Sequence, residues 1–376
     1  MIALGGLGGL GAVSALVAAI WLALALLLVV RRRQAPALPP AIATPPPTTI
    51  LLPVRDEEEN LADCAATLLN QGGDSVLRIV DDGSTDRTPE LLAGIVRHES
   101  RATAFVARPL AVGWGGKVNA LATGFDGVTT PWILLTDTDT RHHPELLARA
   151  HAAVAEHRLD ALSLAGRQEA IGLGESLLTP AAYAVLDLML GDWRPHARGE
   201  GRPAIANGQY FLLKADALRA IGGFAAIARE PLDDIALANA LAAAGFKVGF
   251  RRADDALQVR MYRGLRATVR GWRRNLALFV GARPAISTAV ILLPAATLTA
   301  LLLALGFREP AALVTCWLGG VVASALARRS SSNNPFTGAF FPLDVLLLAA
   351  TLALAMFDRG RGHAAPWRGR RVEIRR

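Results

Sequence analysis

Cysteine is scarce in this chain: two in 376 residues, Cys64 and Cys316, in very different regions. A disulfide framework is therefore excluded as the support of the fold, and a reducing compartment is the natural setting. Aromatic residues make up only 6%, which argues against base-stacking platforms and, with them, a nucleic-acid partner. The long apolar runs carry almost no ionisable group apart from Asp344. A solute path across a membrane usually shows several, so a transporter is disfavoured. What is present in excess is hydrocarbon: 52% hydrophobic residues and a mean hydropathy of +0.33. That is too apolar for an ordinary cytosolic enzyme, and the excess lies at the two ends, leaving room for a soluble middle. The net charge is +8 with a pI near 10.4. Much of it sits in arginine clusters beside apolar runs, at 31–33, 263–274, 328–329 and 359–376. Such placement suits anionic lipid headgroups.

The run from Ala12 to Val30 is long enough to cross about 30 Å of hydrocarbon. It lacks a basic leading region and is followed by Arg31, Arg32 and Arg33, so it reads as an anchor rather than a cleaved signal. The positive-inside rule puts these arginines and the following domain in the cytoplasm, beneath a cell (inner) membrane. Gly6 to Gly11 matches the dinucleotide pattern G-x-G-x-x-G by letter. No strand precedes it and no ribose-binding acid follows, so close helix packing explains it better.

Residues 34–47, "QAPALPPAIATPPP", read as a proline-rich spacer. From Thr48 the pattern becomes strand, loop, helix, repeated. "TTILLPV", "VLRIV", "ATAFVAR" and "WILLT" are strands. Between them lie a helix in "RDEEENLADCAATLLNQ", with Asp56 and Glu59 at capping-box spacing, one opened by Thr88-Pro89, and one opened by His143-Pro144. Apolar strands alternating with amphipathic helices predict an α/β domain with a buried parallel sheet. Beyond Asp160 the alternation weakens, although "GQYFLLKADAL" and "FKVGF" still read as strands. The expected boundaries are an anchor at 1–33, a linker at 34–47, a catalytic domain at 48–261, an interfacial helix at 262–284, membrane segments at 285–357 and a basic tail at 358–376. Three apolar stretches fall in the last part: Ala285 to Phe307, Pro310 to Ala327 and Phe340 to Phe357. If all three cross, the basic tail lands outside, against the positive-inside rule. The Phe340 run carries Pro342 and Asp344 and the Ala285 run carries Pro294, so one of them is expected to be re-entrant or to lie in the interface, with a cytoplasmic tail.

Three acidic strand or helix ends carry the candidate chemistry. Asp137 and Asp139 follow "WILLT" one residue apart, a spacing that aims both carboxylates at one spot beyond a strand's carboxyl end. Two hard oxygen ligands suit Mg²⁺ or Mn²⁺ completed by substrate phosphates, while a turn solvated by acids is the plain alternative. His142 and His143 fit such an ion poorly. Asp81 and Asp82 leave a second strand, with Gly83 for the turn; carboxylates there accept hydrogen bonds from a base or ribose. Asp233 and Asp234 start the helix "IALANALAAA", where they either complement the helix dipole or place a general base in a cleft.

The ordered set "PVRDEEEN", "VDDGSTD", "GGKVNALATG", "TDTDT", "NGQYFLL", "IGGF" and "LDDIAL" resembles the family 2 inverting glycosyltransferases of the GT-A, Rossmann-like fold. It is most similar to the membrane-bound branch of hopanoid-associated, carotenoid and ceramide glycosyltransferases. The resemblance runs from Thr48 to Pro284, and "PWRGR" at 366–370 resembles that group's W-x-G-R tail. It implies a nucleotide-diphosphate sugar donor, a UDP-sugar first among them, and a lipid acceptor. By position, Asp82 with Asp81 matches the nucleotide-binding acid, and Arg55 and Glu57 border the same pocket, with Asp56 where Asn is more usual. Asp137 and Asp139 match the D-x-D, Asp139 being the direct metal ligand. Lys117 matches the lysine of "GK..AL..G". Asn207, Gly208 and Gln209 match a loop facing donor sugar or acceptor. Asp234 matches the catalytic base, and Asp233 stands where Glu is usual.

In "YRGLRATVRGWRRNLALFV", Arg263, Arg266, Arg270 and Arg273 fall near one helical face and Leu265, Val269, Trp272 and Leu276 towards the other, an interfacial pattern. The Q-x-x-R-W motif of processive members is missing here, which favours transfer of a single sugar. The expectation is a membrane-anchored, metal-assisted inverting hexosyltransferase acting on a lipid. Transfer to a polyisoprenyl phosphate, or sugar-nucleotide binding without catalysis, are the alternatives.

Overall fold

The computed structural model describes residues 2–190, 204–279, 284–330, 333–367 and 370–373. They fall into two compact units: residues 35–167 with 192–260, and residues 1–34 with 168–191 and 261–376. The chain opens with α1 (Ile2–Gln34), which ends on Arg31, Arg32 and Arg33.

The unit beginning at residue 35 then forms β1 (Thr48–Val54), α2 (Leu61–Leu69), β2 (Ser75–Asp81), α3 (Thr88–His98), β3 (Ala102–Val106), α4 (Gly116–Phe125), β4 (Trp132–Thr136), β5 (Thr140–His142), α5 (Leu146–His157), β6 (Ala161–Ala165) and β7 (Arg167–Gln168). The chain passes through α6 (Leu173–Leu190) and returns as β8 (Tyr210–Lys214), α7 (Ala215–Ala220), a 3-10 turn at Gly223–Ile227, α8 (Asp233–Ala243), β9 (Val248–Arg252) and β10 (Leu257–Val259). Seven strands make one sheet in the order β3-β2-β1-β4-β8-β6-β9. Five residues of β4, "WILLT", are all buried, as both faces of a central strand must be.

The sheet is mixed rather than purely parallel. β1 pairs in parallel with β2 and β4, whereas β8 runs antiparallel to both β4 and β6. The four-residue reach of "YFLL" gave a strand but no direction. This inversion positions the site. The ends of β1, β2 and β4 and the beginning of β8 share one edge, with Val54 opposite Asp81 and Thr136 opposite Tyr210. The order also reverses between β1 and β4, the switch point at which open α/β sheets form a crevice. A core of Leu51, Leu121, Ile133, Leu135, Phe211 and Leu237, all nearly inaccessible, fixes α4 and α8 against the sheet.

Two local expectations fail. Helix α2 starts only at Leu61, with Asn60 before it and no side-chain cap. Asp56, taken as its cap, sits at φ 51, a left-handed conformation that Asp tolerates better than most residues. Its Oδ1 accepts from Thr85 N at 2.7 Å, tying the loop after β1 to the loop after β2. The proline-rich segment is docked rather than a free spacer: Leu38 is buried, and Arg149 on α5 donates to the carbonyls of Pro39 and Leu38.

The other unit contains α1, α6, α9 (Gly264–Phe279), α10 (Pro284–Gly306), α11 (Pro310–Ser330), a 3-10 segment at Pro335–Phe340, α12 (Phe341–Gly360), and the antiparallel pair β11 (His363–Trp367) and β12 (Arg370–Glu373). Four stretches are long and apolar enough to cross a membrane: Gly9–Gln34, Ala285–Gly306, Pro310–Arg329 and Pro335–Gly360. Arg368 and Gly369 of the W-x-G-R element lie outside the described residues.

Candidate active site

The loop after β4 holds the paired acids, but Asp137 and Asp139 lie beyond the strand in a turn, not on it. The turn is built from behind. Thr140 Oγ1 donates to Asp137 O at 2.6 Å, and Thr136 Oγ1 donates to Gln209 O at 2.8 Å across the sheet. The buried Cys64 thiol lies 3.6 Å from Asp137 O, and burial pushes its pKa up to about 12, so it stays protonated. His142 is part of this scaffold. Its ring nitrogens lie 3.2 Å from Thr136 Oγ1 and 3.5 Å from Thr67 Oγ1. Burial, with the positive charge of Arg141, lowers it to about 3, so it is neutral and already engaged. His143 Nδ1 accepts from Glu145 N at 3.3 Å at the start of α5.

In front of the turn the charges converge. Lys117, in the first turn of α4, lies 2.8 Å from Asp137 Oδ1 and 3.6 Å from Asp233 Oδ2. Burial opposes its charge, but Asp137 and Asp233 more than compensate and hold the ammonium well above its ordinary range. Asp234 Oδ2 accepts from Gly208 N at 2.8 Å, and its Oδ1 from Ile235 N at 2.8 Å. Burial, then the neighbouring Asp233, raises Asp234 to about 6, with Lys117 pulling the other way. Gly208 is the point of closest approach: a Cβ there would lie 3.0 Å from Lys117 Nζ and 3.6 Å from Asp137 Oδ2 and from Asp234 Oδ2. Asn207 and Gln209 brace this loop by bonding each other, Nδ2 to Oε1 at 3.0 Å, while Asn207 N donates to Ser163 Oγ at 2.7 Å. Beneath the charges lies a small apolar pocket lined by Leu121, Leu135, Phe211, Phe224, Ile227 and Leu237.

Asp139 differs from its neighbour. Its Oδ1 is buried and has no hydrogen-bond partner among the described residues, and burial, then Asp137 and Glu57, lifts it to about 7. A carboxylate oxygen held away from both water and donors fits a cation ligand. Among the described residues no group of three or more His, Cys, Asp or Glu side chains gathers around one point. A divalent cation held here would take most of its ligands from water and substrate oxygens, as Mg²⁺ and Mn²⁺ at phosphates commonly do. The residues fit such an ion.

The remaining predicted residues lie in the loops after β1 and β2. Asp81 Oδ1 accepts from both Ser84 N and Ser84 Oγ, at 2.9 and 2.6 Å, closing the turn that Gly83 makes at φ +78. Arg55 Nη1 donates to Asp82 O at 2.7 Å and lies 3.7 Å from Asp82 Oδ2. Glu57 accepts from Asn60 Nδ2 at 3.1 Å. Asp81 is thus a turn-former, with Arg55 and Asp82 beside it. The scaffold of Cys64, Thr136, Thr140 and His142, and the apolar cavity wall, went unseen in the sequence. Each of those residues is indistinguishable in one dimension from ordinary core.

A mixed sheet with acids at the β1–β4 switch edge and a helix-borne acid facing them is the GT-A glycosyltransferase arrangement. Residues 49–235 match the family model Glycosyl transferase family 2, so they form a domain of that family and the chain is a glycosyltransferase. Among solved structures, the mannosyltransferase PcManGT from Pyrobaculum calidifontis, in complex with GDP-Man and Mn²⁺, is 18% identical with a TM-score of 0.56. That match covers 92% of this chain and 99% of the mannosyltransferase. TarS 1–349 of S. aureus, in complex with UDP-GlcNAc, is 11% identical over 82% of this chain and 91% of its own, with a TM-score of 0.41. No curated protein matches the sequence.

Proposed function

We propose that this chain is a membrane-anchored inverting glycosyltransferase that moves one sugar from a nucleotide-diphosphate sugar to a lipid acceptor. The observation that carries the reading is the convergence of Lys117, Asp137 and Asp234 on the backbone of Gly208, with the orphaned oxygen of Asp139 close in sequence. Arg55 and Asp82 border the base and ribose. Asp139, with Asp137, would hold a divalent cation, which when bound would neutralise charge on a departing diphosphate. Lys117 pairs with Asp137 at 2.8 Å and keeps it in place. Asn207 and Gln209 hold the Gly208 loop flat so that nothing larger than hydrogen projects at the sugar. Asp234 Oδ accepts the proton of the acceptor hydroxyl as its oxygen attacks the anomeric carbon. The bond to the diphosphate breaks on the opposite face, which inverts the centre.

The lipid acceptor rests on the four long apolar stretches. An apolar acceptor explains an active site tethered among them, and a single transfer follows from the missing processive motif. The test supplies native membranes with a panel of radiolabelled nucleotide sugars and extracts the organic phase. Label in lipid, abolished by a chelator and restored by Mg²⁺ or Mn²⁺, is expected. Label confined to the aqueous phase overturns the acceptor, and chelator-resistant transfer overturns the metal.

A further inference from the structure

The stretch Pro335–Gly360 has the length and composition of a membrane crossing, yet its contacts within its own unit describe something else. Helices α1, α10 and α11 form a bundle with distinct ends. Helices α1 and α11 run side by side in the same direction: Val17 packs with Cys316, and one turn further along each helix Trp21 and Gly320 both meet Phe341. Gly319 packs against Ala18 so closely that a Cβ would lie 2.4 Å from that alanine's Cβ, and Trp21 Nε1 donates to Thr297 Oγ1 of α10 at 2.9 Å. Arg31, Arg32 and Arg33 close α1, and Arg328 and Arg329 close α11. The opposite end holds the α10–α11 turn, with Arg308 and Glu309.

Helix α6 is fastened to the arginine-rich end at two points. Arg328 Nη1 donates to Ser176 O at 2.5 Å, and Arg31 Nη1 donates to Leu188 O at 2.5 Å, beside the Arg32–Asp187 ion pair. Helix α9 lies along α6: Glu175 Oε1 accepts from Gly264 N at 2.9 Å, and the rings of Tyr183 and Trp272 meet edge to face at 5.1 Å. Helix α12 joins the same layer at both of its ends. Asp344, in its first turn, forms an ion pair with Arg328 and accepts from Ser324 Oγ at 3.2 Å. Asp358, in its last turn, takes Arg273 of α9 in a fork of two 2.6 Å bonds. In a crossing helix the 14 residues from Asp344 to Asp358 would carry Asp358 about 21 Å away from the arginine-rich end, towards the turn of Arg308 and Glu309. The Arg273 fork forbids that.

We infer that α12 does not cross. With the 3-10 segment before it, it dips beside α11 and returns, so α6, α9 and α12 form a collar seated in the leaflet at the arginine-rich end. The partner of this surface is an anionic lipid headgroup layer. Arg266 and Arg270 of α9 are exposed on the collar, and it is continuous with the apolar bundle, whose Leu16, Leu302, Leu305 and Val314 face outward. Three crossings then place the basic tail on the same side as Arg31–Arg33, which removes the charge conflict raised by four.

The test is cysteine labelling of the full chain in intact and permeabilised cells with a membrane-impermeant maleimide, in a Cys64→Ser, Cys316→Ser background. Gly360→Cys is well tolerated, since a Cβ there meets nothing within 4 Å; Ala37→Cys marks the side after α1, and Arg308→Cys the opposite turn. Gly360→Cys should label under the same condition as Ala37→Cys and under the opposite condition from Arg308→Cys. Labelling together with Arg308→Cys, or in both conditions, overturns the inference. Should the cysteine variants not accumulate, a green fluorescent protein fused after Arg376 in the wild-type chain should fluoresce. A fused alkaline phosphatase that is active instead overturns it.

Discussion

Replacing Asp234 by asparagine tests the base and its electrostatics at once, because the two consequences have opposite signs. In the folded chain burial and Asp233 hold Asp234 at about 6, against about 3.9 for a free side chain. The native state therefore binds this proton more tightly than the unfolded chain does. Stability from this group is greatest below the unfolded value and is lost as pH rises from about 4 to about 6. Above that window the ionised carboxylate costs about 3 kcal/mol. Asparagine mimics the protonated acid and removes the cost. It offers one acceptor where the carboxylate offered two, so either Gly208 N or Ile235 N loses its partner, returning about 1 kcal/mol. The net gain of about 2 kcal/mol at pH 7.5 corresponds to roughly 4–8 °C for a unit of this size, and it should vanish near pH 4. Turnover should fall by a factor of about 10²–10⁴, the usual contribution of a general base. With Asp234 at about 6, wild-type kcat/KM should fall about fivefold from pH 6 to pH 5, and the variant should lose that limb. Thermal melts in detergent and organic-phase product counts over pH 4.5–8.5 read both effects. Near-normal turnover would refute the base and point to an acceptor already ionised, such as a lipid phosphate; an unchanged melting temperature would refute the electrostatic account.

Lys117→Met removes the cation that lowers Asp234, so the acid limb of the pH–rate profile should move to higher pH, while Lys117→Arg should restore it. Gly208→Ala puts a methyl 3.0 Å from Lys117 Nζ. The lysine can give way by a few tenths of an ångström, so stability should change by less than about 1 kcal/mol, yet kcat should drop roughly tenfold to a hundredfold because reacting groups are misplaced. The Tyr210 hydroxyl is buried with no partner among the described residues, so Tyr210→Phe should raise stability by about 1 kcal/mol with turnover unchanged; a loss of stability in the melt would show that the hydroxyl is used.

The features read correctly from sequence are those written in short-range patterns. Apolar runs ending in acids gave β1, β2 and β4 and located Asp82, Asp137 and Asp139 at their exits. What failed depended on partners distant in the chain. Asp56 has capping-box spacing to Glu59, but its carboxylate meets Thr85, 29 residues away, and no local rule ranks that bond above a cap. β6, "ALSLA", is five residues with no alternation, and β8 gives no sign of its direction, so the mixed sheet was not legible. The pairing of Asp137 with Lys117 needs α4 to be placed against the sheet. Leu38 and Pro39 look like linker until Arg149 is brought to them.

The position of β8 has a consequence for synthesis. Its neighbours β4 and β6 both leave the ribosome first, and neither has a partner on that side until "YFLL" arrives. From the end of β4 to the end of β8, roughly 80 residues emerge, which at about 5–20 residues per second leaves a bare, greasy strand edge for several seconds. A nascent chain stalled near residue 200 should be a strong chaperone client, whereas one released past residue 215 has its last central strand in hand.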